Sequence, residues 1–134
     1  MCDQLEIDAA KARGRCLIVD DSPTVRRIAG RILRGFGLEV DEAEDGQLAL
    51  EACVRSMPGT ILLDWNMPVM DGLEMLKLLR AEGFSDMKVM MVTTEAENEF
   101  ILRALDAGAD EYLMKPFDDE ALCEKLAMLG LVEA

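Results

Sequence analysis

A chain of 134 residues is the size of one domain, and 51% hydrophobic with 31% charged residues is enough apolar material for a core and too much for a disordered chain. With 14 Lys and Arg against 27 Asp and Glu, the formal charge of -13 disfavours long-range attraction to nucleic acid or anionic lipid. The absence of histidine excludes Ser-His and Cys-His catalysis, His-ligated zinc and a phosphohistidine role, leaving carboxylate, hydroxyl, ammonium and thiol chemistry.

The start, Met1-Cys2-Asp3-Gln4-Leu5-Glu6, has neither a basic n-region nor an apolar h-region, and no run approaches the roughly 18 apolar residues of a membrane span. A soluble cytoplasmic protein without membrane insertion is therefore expected. Cys2, Cys16, Cys53 and Cys123 form no C-x-x-C pair, and Cys16 and Cys53 lie in apolar runs, as reduced core thiols do.

Residues 1–14 mix acids, alanines and lysine without an apolar face and read as a flexible extension before a domain spanning 15–134. The first apolar run, Cys16-Leu17-Ile18-Val19, ends in Asp20-Asp21. Ser22 offers an N-cap and Pro23 fits the first helical turn. Val25, Ile28, Ala29, Ile32, Leu33 and Phe36 then predict one apolar helix face closed by Gly37, with Arg26, Arg27, Arg31 and Arg34 on the outer face.

A second strand is predicted from Leu38 to Ala43, then a turn at Asp45-Gly46 and a helix from about Gln47 to Arg55. The third strand, Thr60 to Asp64, closes an apolar run on a carboxylate. Asn66-Met67-Pro68 breaks the chain into a loop, and Leu73, Leu76 and Leu79 or Arg80 mark the next helix. Lys88 to Val92 reads as strand four, ending in Thr93-Thr94. A helix from about Ala96 to Ala107, with Phe100, Ile101, Ala104 and Leu105 inward, stops at Gly108. A short strand from Glu111 to Met114 ends at Lys115-Pro116, and Asp118 or Asp119 starts a last helix carrying Leu122, Leu126 and Leu129. The chain stops soon after it, and no output domain is expected.

Five strand-helix pairs predict an α/β fold with a parallel sheet covered on both faces. Ligands of such sheets bind beyond the carboxyl ends of the strands, which here carry Asp20, Asp21, Asp64, Thr93 and Lys115. Three crowded carboxylates repel one another, and a hard divalent cation relieves that repulsion, so Mg²⁺ is the expected ligand, with Mn²⁺ as a substitute. An ionised Asp64 beside positive charge suits a phosphoryl acceptor, because phosphoryl transfer asks for positioning and charge neutralisation more than for acid or base.

The motifs Leu17-Ile18-Val19-Asp20-Asp21-Ser22, Leu63-Asp64-Trp65-Asn66-Met67-Pro68-Val69-Met70-Asp71-Gly72, Val92-Thr93-Thr94-Glu95-Ala96 and Tyr112-Leu113-Met114-Lys115-Pro116-Phe117 closely resemble the receiver domain of bacterial two-component response regulators, stand-alone chemotaxis-type receivers in particular. The likeness runs from about Arg15 to Leu129. It implies a doubly wound, flavodoxin-like (βα)5 fold with strand order 2-1-3-4-5 and Asp64 as phosphoacceptor. It also implies Asp20, Asp21, Asp64 and the backbone carbonyl of Asn66 as Mg²⁺ ligands, and Lys115 and Thr93 as phosphate-contacting groups.

Thr93 and Tyr112 match the family's switch pair, and Pro116 implies a cis peptide after Lys115. Asn66, Glu95 and Thr94 are the positions that tune dephosphorylation; Thr94 departs from the more usual Ala or Gly, and its added bulk would restrict access. The implied partners are a sensor histidine kinase or histidine phosphotransfer protein, docking at the basic first helix, and a downstream target. Target binding falls to the face built from strand four, helix four, strand five and helix five. From Thr93 to Ala134, eleven Asp and Glu stand against Arg103, Lys115 and Lys125, which favours a basic target. The chain is expected to be a monomer and a signalling protein with intrinsic self-phosphorylation and autodephosphorylation, not an enzyme in the ordinary sense.

Other roles share the fold. A phosphorelay shuttle or phosphate sink would use the same site, and a pseudo-receiver would only bind protein, although the complete set of five polar groups argues against that. A dehalogenase-type phosphatase needs a second Asp two residues past its nucleophile, where this chain has Asn66. A flavin carrier needs a phosphate loop where this chain has Asp20-Asp21.

Overall fold

The computed structural model describes residues 14–67, 70–84, 86–94 and 98–131. Among these lie five strands and five helices in strict alternation. They are β1 (Arg15–Val19), α1 (Pro23–Gly35), β2 (Glu39–Ala43), α2 (Gly46–Arg55), β3 (Thr60–Asp64), α3 (Gly72–Ala81), β4 (Lys88–Thr93), α4 (Asn98–Asp106), β5 (Glu111–Met114) and α5 (Asp119–Met128). All strand pairs are parallel, in the order β2-β1-β3-β4-β5, as the resemblance implies. The expected extension to residue 13, Pro68, Glu95 and the helix start at Ala96 lie outside the described residues.

The alternation of side chains along each strand divides the core in two. Leu17, Val19, Ile61, Leu63, Val89 and Met91 face α2, α3 and α4, where Ala49, Cys53, Leu76, Leu79 and Ala104 meet them. Cys16, Ile18, Leu62, Met90, Val92 and Leu113 face α1 and α5 through Ala29, Leu33, Leu122 and Leu126. The central strand β3 is buried at every residue, which fits its unbroken apolar run, whereas edge strand β2 is buried only at Ala43. Cys16 and Cys53 are free and buried, and burial pushes their thiols up to about 12 and about 11, so they behave as inert core residues.

The helix ends follow local chemistry. Ser22, Asp45, Asp71 and Asp118 each accept a backbone N–H of their helix's first turn. Asp45 caps α2 one residue earlier than the sequence suggests, so Gly46 is helical. Gly37 (φ 87°) and Gly108 (φ 109°) take the left-handed conformation that ends α1 and α4, with Leu38 N–H donating to the Leu33 carbonyl and Ala109 N–H to that of Ala104. Leu38 is thus part of the α1 stop, and β2 begins at Glu39.

Two predicted apolar faces need correction. On α1, Ile28 and Phe36 are 47% and 37% exposed. The helix lies on the sheet through Ala29, Gly30 and Leu33, and a Cβ at Gly30 would sit 3.8 Å from Ile18 Cδ1, so this close strip turns Ile28 and Phe36 to the rim. On α4, Leu105 is 47% exposed, because the helix rests on Ala104 with Phe100 turned onto Trp65.

Arg80, at the end of α3, ties the sheet's amino-terminal edge together. Its guanidinium donates to the carbonyls of Phe84 at 2.6 Å, Met87 at 2.8 Å and Gly108 at 2.6 Å, and pairs with Asp110 at 2.9 Å.

At the opposite edge, α3 starts against the end of β3. Gly72 N–H donates to the Trp65 carbonyl at 2.8 Å, and a Cβ on Gly72 would lie 2.2 Å from the Asp64 carbonyl oxygen. No side chain fits there without moving backbone. Gly72→Ala is expected to lower stability in urea unfolding by about 2–4 kcal/mol, the range of severe overpacking; a loss below 0.5 kcal/mol would show that β3 and α3 are not in register as described.

Candidate functional site

β1, β3, β4 and β5 each end where an apolar run meets a polar residue, and the parallel sheet brings those ends to one edge. Asp20, Asp21 and Asp64 present carboxylate oxygens that all lie within 4.8 Å of one another. Asp20 and Asp64 are 2% and 4% exposed, while Asp21 is exposed. Lys115 Nζ reaches back from the end of β5 to Asp20 Oδ2 at 2.7 Å and Asp64 Oδ1 at 3.1 Å. The Lys115–Pro116 peptide is cis.

The acids are fixed from several sides. Ser22 N–H donates to Asp20 Oδ1 at 2.9 Å, so the residue that caps α1 also orients the buried carboxylate. Arg26 donates to the Asp20 carbonyl at 2.6 Å and pairs with Glu42 at 3.2 Å. This corrects the expectation of Arg26 as part of a free outer face. Its place one turn after the cap was the signal, since that turn faces back over the β1 loop.

Thr93 is fully buried at the end of β4 and its carbonyl accepts from Lys115 N–H at 2.8 Å, which links the hydroxyl position to the lysine. Tyr112 sits two residues earlier on the neighbouring strand, its ring packed against the core and its hydroxyl oxygen shielded from solvent. Asn66 is exposed two residues past Asp64. Thr94 is also exposed, and with Val25, Ile28, Lys115, Pro116 and Phe117 it lines a pocket of about 300 Å³ that opens beside the ammonium. Glu95 lies outside the described residues.

Charge does not balance here. Burial is the main force pushing the Asp64 carboxyl above the usual aspartate range, and repulsion from Asp20 and Asp21 adds to it; the hydrogen bond from Lys115 only partly offsets the rise. For Lys115, burial pulls downward, but the hydrogen bonds to Asp20 and Asp64 outweigh it and leave the ammonium above the ordinary lysine range. One cation held by two carboxylates, with a third within reach, leaves excess negative charge in a nearly dry pit.

That donor set fits a divalent oxygen-seeking cation such as Mg²⁺. Carboxylates have more lone pairs than the Lys115 and Ser22 bonds consume, so Asp20, Asp21 and Asp64 can each still offer an oxygen.

A group whose folded-state pKa is raised stabilises the fold below its unfolded pKa, and that contribution is lost as pH rises through the folded value. Ionised Asp64 is therefore a cost to the metal-free fold at neutral pH. Asp64→Asn is expected to raise the melting temperature at pH 7 in EDTA by ~4 °C, equivalent to about 1 kcal/mol, with the gain vanishing near pH 3. A lower melting temperature would mean that pairing with Lys115 dominates.

Comparison with known proteins places the fold in a family. Residues 16–127 match the family described as response regulator receiver domain. The Vibrio cholerae chemotaxis protein CheY-3 is 42% identical over 114 residues, covering 84% of this chain and 88% of that protein. A Campylobacter jejuni chemotaxis protein CheY homologue is 44% identical over 115 residues, with the same coverage. Among solved structures, the Vibrio cholerae chemotaxis response regulator CheY4 superposes with a TM-score of 0.81 at 33% identity, covering 88% of this chain and 98% of that one.

Proposed function

The chain belongs to the response regulator receiver family, and from that premise we propose that it is a phosphorylation-driven signalling switch with Asp64 as its phosphoacceptor. The observation that carries this reading is the juxtaposition of a buried strand-end carboxylate with the Lys115 ammonium at 3.1 Å and with Asp20 and Asp21 within 4.8 Å. A carboxylate in that position is a nucleophile with a cation already placed beside it to meet the incoming phosphoryl oxygens.

The transfer is written on this chain's residues. A carboxylate oxygen of Asp64 attacks the phosphorus of a phosphohistidine or small acyl phosphate, and the bond from phosphorus to the donor's leaving group breaks as the Asp64 O–P bond forms. Lys115 neutralises charge on the phosphoryl oxygens, and the Thr93 hydroxyl donates to one of them. Asp20, Asp21, Asp64 and the Asn66 carbonyl would hold Mg²⁺, which would supply further positive charge to the transferring group when bound. In dephosphorylation, water attacks phosphorus, the Asp64 O–P bond breaks, and the Asp64 carboxylate and inorganic phosphate are released. Asn66 and Glu95 tune that step, and Thr94 narrows the approach beside Lys115.

Phosphorylation replaces the single charge of the Asp64 carboxylate with the about -1.5 to -2 of a phosphoryl group beside Thr93, a net gain of at most about one negative charge. Movement of that hydroxyl, followed by Tyr112, changes the face of β4, α4, β5 and α5, whose acidity and exposed Leu102 and Leu105 suit a basic target with an apolar contact. The named relatives are chemotaxis proteins, which favours a motility target over a shuttle or sink. A cytoplasmic monomer served by a histidine kinase or phosphotransfer protein completes the reading. Among the described residues no helix is long and apolar enough to cross a membrane.

The test is intact mass after incubation with Mg²⁺ and acetyl phosphate, read beside Trp65 emission. The expected result is a gain of one phosphoryl group that EDTA prevents and Asp64→Ala abolishes. Equal labelling of wild type and Asp64→Ala, or none in either, would overturn the assignment.

A further inference from the structure

Trp65 follows the phosphoacceptor, and its backbone is held on both sides. Its N–H donates to the Val92 carbonyl at 3.0 Å, and its own carbonyl accepts from Gly72 N–H. The peptide groups thus belong to the sheet edge, while the indole reaches α4. Phe100 meets it edge-on, with ring centroids 5.4 Å apart and planes at 73°. The Arg103 guanidinium lies over both rings, 5.8 Å from the indole centroid and 5.7 Å from that of Phe100.

Two further observations give this stack weight. Among the described residues Arg103 forms no ion pair, and its guanidinium lies over the two rings, where attraction to the π faces favours it. Of the five helices described, α4 also has the fewest fully buried residues, Ala104 alone, against five in α3 and two in α5. A helix with so little buried area opens locally at low cost, and one surface contact then counts for much of its docking.

We propose that Arg103 is a positioning residue: laid over Trp65 and Phe100, it latches α4 to the phosphoacceptor loop and sets how readily α4 leaves its docked position. The latch is a property of the resting fold. Its regulatory consequence rests on the reading of Asp64 given above. Removing the latch moves the resting population toward undocked α4, so less of the change remains for phosphorylation to drive.

Hydrogen exchange of the full chain tests this in wild type, Arg103→Ala and Arg103→Lys, before and after Mg²⁺ and acetyl phosphate. In unphosphorylated Arg103→Ala, amides of α4 should exchange about three- to tenfold faster, while α1 and α5 keep wild-type rates. Arg103→Lys should stay within about twofold of wild type, since an ammonium over the rings keeps the attraction. The change in α4 exchange on phosphorylation should shrink in Arg103→Ala. Wild-type exchange in Arg103→Ala, an equal acceleration of every helix, or an undiminished response of α4 would each overturn the proposal. If wild type took up no phosphoryl group, the reading of Asp64 would fall, while the unphosphorylated comparison would still decide the latch.

Discussion

At the carboxyl edge of the sheet a single ammonium has to serve three carboxylates. Lys115 divides its hydrogen bonds between Asp20 and Asp64, and neither burial nor the nearby Asp21 carboxylate lets the cluster reach neutrality. In water this arrangement would disperse. Here the acids are anchored to the ends of β1 and β3, two neighbouring strands paired from Cys16–Thr60 to Val19–Leu63, so the repulsion is held in place and is relieved by added positive charge or by loss of a charge. A site that disfavours its own resting state in this way is suited to take up a cation and to respond to a phosphoryl group, because each changes the balance at atoms that cannot move apart.

The rest of the fold can be understood as what holds those atoms still. Ser22 and Arg26 fix Asp20 from the side-chain and main-chain ends respectively. The close approach of Gly72 to Asp64 locks the start of α3 to the end of β3. At the far edge, Arg80 gathers three carbonyls and Asp110, so the connections that return the chain to β4 and β5 are tied away from the site. Between these fixed points α4 is the exception, resting on Ala104 and on the aromatic stack with Trp65 and Arg103. Rigidity around Asp64 and a weakly anchored helix beside it are what a two-state response requires.

Much of this was legible in the sequence, for identifiable reasons. Continuous apolar runs ending in Asp20, Asp64 and Thr93 marked buried parallel strands, and Ser22, Asp118, Gly37 and Gly108 marked helix ends whose chemistry is local. What could not be read depended on how closely elements approach. Gly30 lets α1 sink onto β1 and rotates Ile28 and Phe36 outward, which periodicity alone does not contain. Arg26 looked like a solvent-facing cation because its partners, the Asp20 carbonyl and Glu42, lie on other elements. Leu105 matched an inward helical period, yet the rotation of α4 is set by Phe100 meeting Trp65, a pairing 35 residues apart in the chain.

The central claim is that excess negative charge, only partly compensated by Lys115, governs Asp64. It is tested most directly by a ¹³C NMR titration of the Asp64 carboxyl in metal-free protein, compared with Lys115→Met. The account predicts a midpoint above the ordinary aspartate value of about 3.9 in wild type and a higher one in Lys115→Met, where the one compensating cation is gone. A wild-type midpoint at or below that ordinary value would contradict it, because Lys115 would then fully neutralise the site and leave no unbalanced charge for a cation to relieve.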